Sequence, residues 1–179
     1  MVTLEQINRY RNTYKNWFFV MRNLYRKKNN IMIELKNGYK TMVNNFEAYA
    51  LSIIVKSGLL DENKISIYLK QGITPTQLYF AFLMIKTGLK EDKAIENIKR
   101  DIIWYKNKEV ILHGISYGDI PAVFYNEEYK FLDVKDQVVI DIGANIGDSA
   151  IYFALNGAKK VIALEPFPAT YNYLIMNIK

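Results

Sequence analysis

The stretch VVIDIGANIGDSAIYFALNG, residues 138–157, continued by AKKVIALEP, residues 158–166, decides the fold of this chain. Val138 to Ile142 is a nearly unbroken apolar run, the pattern of a strand buried on both faces of a parallel sheet. A loop with Gly143 and Gly147 follows, and SAIYFALNG reads as a helix that Gly157 closes. Val161 to Glu165 repeats the buried-strand pattern, and Pro166 to Lys179 opens another helix. A β-α-β-α order of this kind predicts an α/β fold with the two strands parallel and a right-handed crossover.

In open α/β sheets a nucleotide-type ligand binds at the carboxyl ends of the strands. The loop Asp141-Ile142-Gly143-Ala144-Asn145-Ile146-Gly147-Asp148 lies there. Its glycines permit a tight turn and close backbone approach, and the helix that follows offers free N–H groups. Glu165 ends the second strand, 22 positions after Gly143, where a carboxylate can accept from both hydroxyls of a ribose. A dinucleotide fingerprint needs glycine at positions 143, 145 and 148. Here Asn145 and Asp148 occupy the last two, and an aspartate at the helix start opposes a pyrophosphate. S-adenosylmethionine carries no phosphate. Its ammonium and sulfonium are cationic, so an acidic loop with Asp141 suits it better.

From about residue 108 to 179 the sequence, including YKFLDVKDQVVIDIGANIGDSAIYFALNGAKKVIALEPFPATYNYLIMNI, resembles the opening of the FkbM-type class I methyltransferases. Their D-x-G-A-N-x-G loop and E-P strand end recur at this spacing. The resemblance implies the start of a Rossmann-like methyltransferase sheet. It places Asp141, Gly143, Ala144, Asn145 and Gly147 around the methionine part of S-adenosylmethionine, and Glu165 on the ribose. It further implies methyl transfer to a sugar or other small hydroxylated acceptor, such as a glycan, and a lead-in (GDIPAVFYNEEY) that helps cover the cofactor. The catalytic residues are not assigned. Only the first two strands of the larger wound sheet are present, so the domain is expected to be truncated and inactive alone. The first strand then has an open apolar edge, a place for oligomerisation or for a complementing chain. A non-enzymatic remnant or oligomerising stub is the alternative reading, and an RNA methyltransferase a weaker one.

Upstream, two further regions are expected: 1–30, a basic aromatic amphipathic helix, and 31–107, a mixed α+β region. Residues 1–28 hold seven basic side chains against Glu5, equal to the whole net charge of +6; the rest of the chain balances 17 basic with 17 acidic residues. Leu4, Ile7, Tyr14, Trp17, Phe18, Met21, Leu24 and Tyr25 recur at helical spacing behind Thr3, which predicts one helix with an aromatic side and a basic side. It is expected to dock on the protein through its aromatic stripe. Contact with an anionic membrane surface is the sharper reading, and nucleic acid ranks behind it.

Asn37-Gly38 signals a hairpin between IMIELK and YKTMV, and residues 46–56 suit helix or strand. Helices are predicted over 61–70, from Thr74-Pro75 to Gly88, and over 90–100, and a second hairpin around Asn107-Lys108. LYFAFLMI is apolar all round, at about eight residues too short to span a bilayer. The absence of cysteine excludes disulfides and thiolate zinc sites and makes a cytoplasmic location the expectation. His113, Tyr129 and most tyrosines read as structural, whereas Asp148 reads equally as a partner of the helix dipole and as a cofactor contact.

Overall fold

The computed structural model of the chain describes residues 3–115 and 118–179. The chain folds as two compact units, Met1–Ile98 and Lys99–Lys179. A boundary between 107 and 108 would cut the hairpin in which Ile102–Tyr105 pairs with Lys108–Ile111. The division therefore comes before that hairpin.

In the first unit Thr3 accepts from Gln6 N and receives the Gln6 side chain on its own amide, a capping box that starts α1 (Leu4–Thr13). The single helix expected here is two, because α2 (Trp17–Tyr25) begins after a break. Tyr14 bridges to Leu35, Lys15 N donates to Glu34 O at 2.7 Å, and the Asn16 amide bonds Met32 O and Glu34 N. Residues 14–16 thus run alongside β1 (Ile31–Glu34), and that pairing overrides the helical periodicity. Tyr14 is fully buried and donates its hydroxyl to Ala48 O at 2.6 Å.

β1 pairs antiparallel with β2 (Lys40–Val43). Leu35 N meets Tyr39 O, Gly38 N meets Leu35 O, and Gly38 takes φ 91°. The Asn37-Gly38 signal is therefore realised as a three-residue loop with a glycine bulge. Residues 46–56 are helical within α3 (Asn45–Ser57), capped by Asn44. α4 (Glu62–Lys70), α5 (Pro75–Lys86) and α6 (Glu91–Ile98) complete the unit. Leu78, Phe80, Ala81, Phe82, Leu83 and Met84 of α5 are all buried. At about 1.5–3 kcal/mol for each large side chain removed from water, packing outweighs any propensity difference in holding this helix. No helix among the described residues is long and apolar enough to cross a membrane.

The second unit opens with the hairpin β3 (Ile102–Tyr105) and β4 (Lys108–Ile111). Its turn residues are Lys106 and Asn107, both at positive φ, one position earlier than the sequence suggested. A π-helical turn, Pro121–Tyr125, leads to β5 (Val138–Ile142), α7 (Asp148–Leu155), β6 (Lys160–Leu164) and α8 (Pro168–Asn177). β5 and β6 pair in parallel from Val138↔Lys160 to Ile142↔Leu164, as the β-α-β pattern required. The strand expected to be covered on both faces is not. Val138, Ile140 and Ile142 are 57%, 62% and 81% exposed, and Ile162 and Leu164 open on the same face. The reason is the size of the sheet. Among the described residues it has two strands, with α7 on the other face.

Candidate functional site

β5 ends at Ile142, and the chain then turns through a loop with alternating left-handed residues: Gly143 at φ 82°, Asn145 at 50° and Gly147 at 90°. Gly143 N and Ala144 N both donate to Leu164 O at 2.8 and 3.0 Å, so the loop continues the β5–β6 pairing past the strand ends. Gly147 N closes the turn on Ala144 O at 2.7 Å, and α7 starts from there. The two glycines serve different ends. A Cβ on Gly143 would meet nothing within 4 Å, whereas one on Gly147 would lie 2.7 Å from Leu174 Cδ1 of α8. Gly143 therefore faces open space, and Gly147 lets α8 close on the loop.

Glu165 stands directly after β6. Its Oε2 accepts from Asn145 N and its Oε1 from Phe167 N, both at 2.8 Å. The Phe167 amide, with that of Asn145, holds the carboxyl below the usual glutamate value of 4.5. An ionised carboxylate thus joins the loop to the strand end. Each oxygen keeps a lone pair beyond the one its backbone donor uses. Across the loop, Asp141 Oδ2 accepts from Ser149 Oγ at 2.7 Å. Asp141, Gly143, Asn145 and Glu165 all keep solvent access, whereas Ala144 and Gly147 are buried. Ala144 packs its methyl group inward.

Asp148 is resolved in favour of structure. It is 4% exposed, and its Oδ2 accepts from Asp119 N at 2.9 Å. Burial raises its carboxyl above the usual 3.8, while the amides of Asp119, Ser149 and Asp148 itself oppose the rise. A buried carboxyl therefore stands at the start of α7, where it would oppose a pyrophosphate. The lead-in is clamped to the same place: a Cβ on Gly118 would fall 2.7 Å from Ile146 Cδ1 and 2.8 Å from Asp148 Oδ2. Asn177, near the end of α8, donates to Ile146 O and His113 O and accepts from His113 N. Among the described residues His113 is held by its backbone, through this clasp. Tyr129 packs its ring 5.2 Å from Phe153, and burial pushes its hydroxyl pKa up.

Sequence reasoning missed Ser149, Asn177 and the Asp119 amide. Ser149 carries a signal, since one turn into the helix it can reach back to the strand end. The Asn177 and Asp119 partnerships span 31 and 29 residues and leave none.

The second unit thus sets two parallel strands, a helix between them, and an acidic loop at their carboxyl ends, the place where open α/β sheets bind ligands. The chain is 30% identical over 115 residues to tRNA(Phe) (4-demethylwyosine(37)-C(7)) aminocarboxypropyltransferase of Pyrococcus horikoshii, covering 57% of this chain and 41% of that enzyme. It is 54% identical over 37 residues to uncharacterized protein 158B of Sulfolobus islandicus rod-shaped virus 1, covering 21% of this chain and 23% of that protein. The chain thus spans about two fifths and about a quarter of the lengths of these relatives. No family model and no solved structure matches it.

Proposed function

We propose that the second unit binds S-adenosylmethionine and belongs to a transferase that uses it, of the FkbM type in its opening strands. The observation that carries this reading is the Glu165 carboxylate, fixed by Asn145 N and Phe167 N beside an open Gly143. Glu165 would hold the ribose hydroxyls, and Gly143 and Asn145 would lie against the methionine part. Asp141, oriented by Ser149, would face its ammonium. The fit favours a cofactor without phosphates, because Asp148 already occupies the start of α7. When bound, the cofactor supplies an electrophilic carbon on its sulfonium.

Which carbon is transferred separates two readings. The FkbM-type resemblance carries methyl transfer to a hydroxyl of a sugar or other small acceptor. The relationship to the archaeal enzyme favours a second reading, transfer of the aminocarboxypropyl group to an RNA base. Both place the same three substituents of one sulfonium in the same loop, so the cofactor assignment is common to them. A cytoplasmic setting accords with either reading, and completion of the β5–β6 sheet by further strands belongs to both.

Isothermal titration with S-adenosylhomocysteine tests the assignment. Glu165→Gln keeps the size of the side chain but replaces one acceptor oxygen by a donor. Loss of charged hydrogen bonds at about 1.5–3 kcal/mol each predicts a Kd weaker by at least about tenfold. No heat with the unaltered chain, or the same affinity with Glu165→Gln, overturns the reading.

A further inference from the structure

We infer that the outer face of α2 is a docking surface for single-stranded RNA. The sequence pattern suggested a helix with aromatics on one side and bases on the other. The structure mixes them. Trp17, Val20, Met21, Asn23 and Leu24 turn toward the unit, and Phe18, Phe19 and Tyr25 are left 68%, 50% and 81% exposed. At about 100° per residue, Arg22 is central on that outer face. Tyr25 and Phe18 flank it on one side, Arg26 and Phe19 on the other. Lys27 and Lys28 follow at once, also exposed. Among the described residues no carboxylate pairs with Arg22, Arg26, Lys27 or Lys28, and the only acidic side chain in residues 1–28 is Glu5, which binds Lys56.

This arrangement separates nucleic acid from lipid. A helix lying in a membrane interface buries the middle of its outward face deepest, and that position should be apolar. Here it is a guanidinium. For a nucleic-acid strand the same order is favourable: a central arginine meets phosphate while rings on either side stack on bases. Beside Tyr25 lies a cleft of about 340 Å³ lined by Tyr10, Tyr49, Met21, Leu24 and Asn45. The tyrosine rings of this cleft offer stacking surface for a base beside the cationic face of α2. α2 and this cleft carry the inference of single-stranded nucleic acid by themselves. The choice of RNA over DNA rests on the second reading of function above.

The test is fluorescence anisotropy of the full chain with a labelled single-stranded RNA of about 12 nucleotides, within the usual site sizes, with circular dichroism to confirm each variant's fold. The unaltered chain is expected to bind. Phe18→Ala with Phe19→Ala should weaken binding at least about tenfold. Arg22→Gln with Arg26→Gln should lessen the slope of log K against log salt by about 1.4, two phosphate contacts at about 0.7 each. Absence of binding, or affinity and slope unchanged in these variants, overturns the inference. So does binding of phosphatidylglycerol vesicles, in place of RNA, that depends on Phe18 and Phe19. Equal binding of the corresponding DNA overturns the choice of RNA. The Glu165→Gln titration fails or succeeds separately, so the two proposals are distinguishable.

Discussion

Gly143 and Gly147 are four residues apart in one loop, both at φ between 80° and 90°, yet substitution by alanine should affect them differently. At either site alanine is forced into the left-handed region, which costs about 1–2 kcal/mol. At Gly143 nothing else opposes it, because no atom lies within 4 Å of the new Cβ. At Gly147 the Cβ would sit 2.7 Å from Leu174 Cδ1, and Leu174 is only 1% exposed and has little room to retreat. Overpacking of this kind adds about 1–3 kcal/mol, for a total of about 2–5 kcal/mol. With about 4–8 °C lost per kcal/mol in a domain of this size, Gly147→Ala should lower the melting temperature of the second unit by at least about 8 °C. Gly143→Ala should cost roughly half as much stability or less. Its effect on S-adenosylhomocysteine affinity should be the larger, since its methyl enters the open space. Thermal denaturation monitored by far-ultraviolet circular dichroism, paired with calorimetric titration, reads both quantities. Equal or reversed stability losses would refute the assignment of Gly147 to packing and Gly143 to the ligand side.

Other consequences follow from the hydrogen bonds. Burial raises the Asp148 carboxyl, so the folded state holds its proton more tightly than the unfolded chain does. Stability should therefore fall as pH rises from 3.8 through the higher folded value, and Asp148→Asn should flatten that part of the denaturation profile; an unchanged slope would contradict the burial argument. Glu165 is shifted the other way, so its contribution is present above 4.5 and is lost only as pH falls through the lower folded value. Loss of cofactor-analogue affinity through protonation of Glu165 should accordingly have its midpoint below 4.5. Tyr14→Phe removes the buried bond to Ala48 O and should cost about 0.5–1.5 kcal/mol in urea denaturation. Asn177→Ala removes the bonds to Ile146 O and to both backbone groups of His113; a loss of about 0.5–1.5 kcal/mol, with faster amide exchange at His113, is the expected outcome.

The β-α-β order was legible because two signals agreed: apolar strands of about five residues, and glycines where the backbone turns left-handed. Glu165 was legible because its position at the end of a strand fixes its location without reference to any distant contact. The caps at Thr3 and Thr74 could be read for the same reason, each being satisfied within three residues. The break at Tyr14 could not. Its helical spacing continues unbroken from Leu4 to Tyr25, and only pairing with Glu34 and Leu35, some twenty residues away, ends α1. Asp148 was ambiguous on similar grounds. An aspartate opening a helix looks like a partner of the helix dipole, and only the return of Gly118 and Asp119 onto it produces its burial. The outward turn of Phe18 and Phe19 also escaped the pattern. Periodicity gives the faces of a helix, and tertiary contacts decide which face is covered.

The central claim is that the loop after β5 and the carboxylate after β6 form one site for S-adenosylmethionine. Amide chemical shifts of the ¹⁵N-labelled chain, titrated with S-adenosylhomocysteine and separately with NAD, test it most directly. The account predicts saturating shifts at Gly143, Asn145 and Phe167 with S-adenosylhomocysteine, lost in Glu165→Gln, and none with NAD. Shifts at those amides with NAD and none with S-adenosylhomocysteine would contradict it.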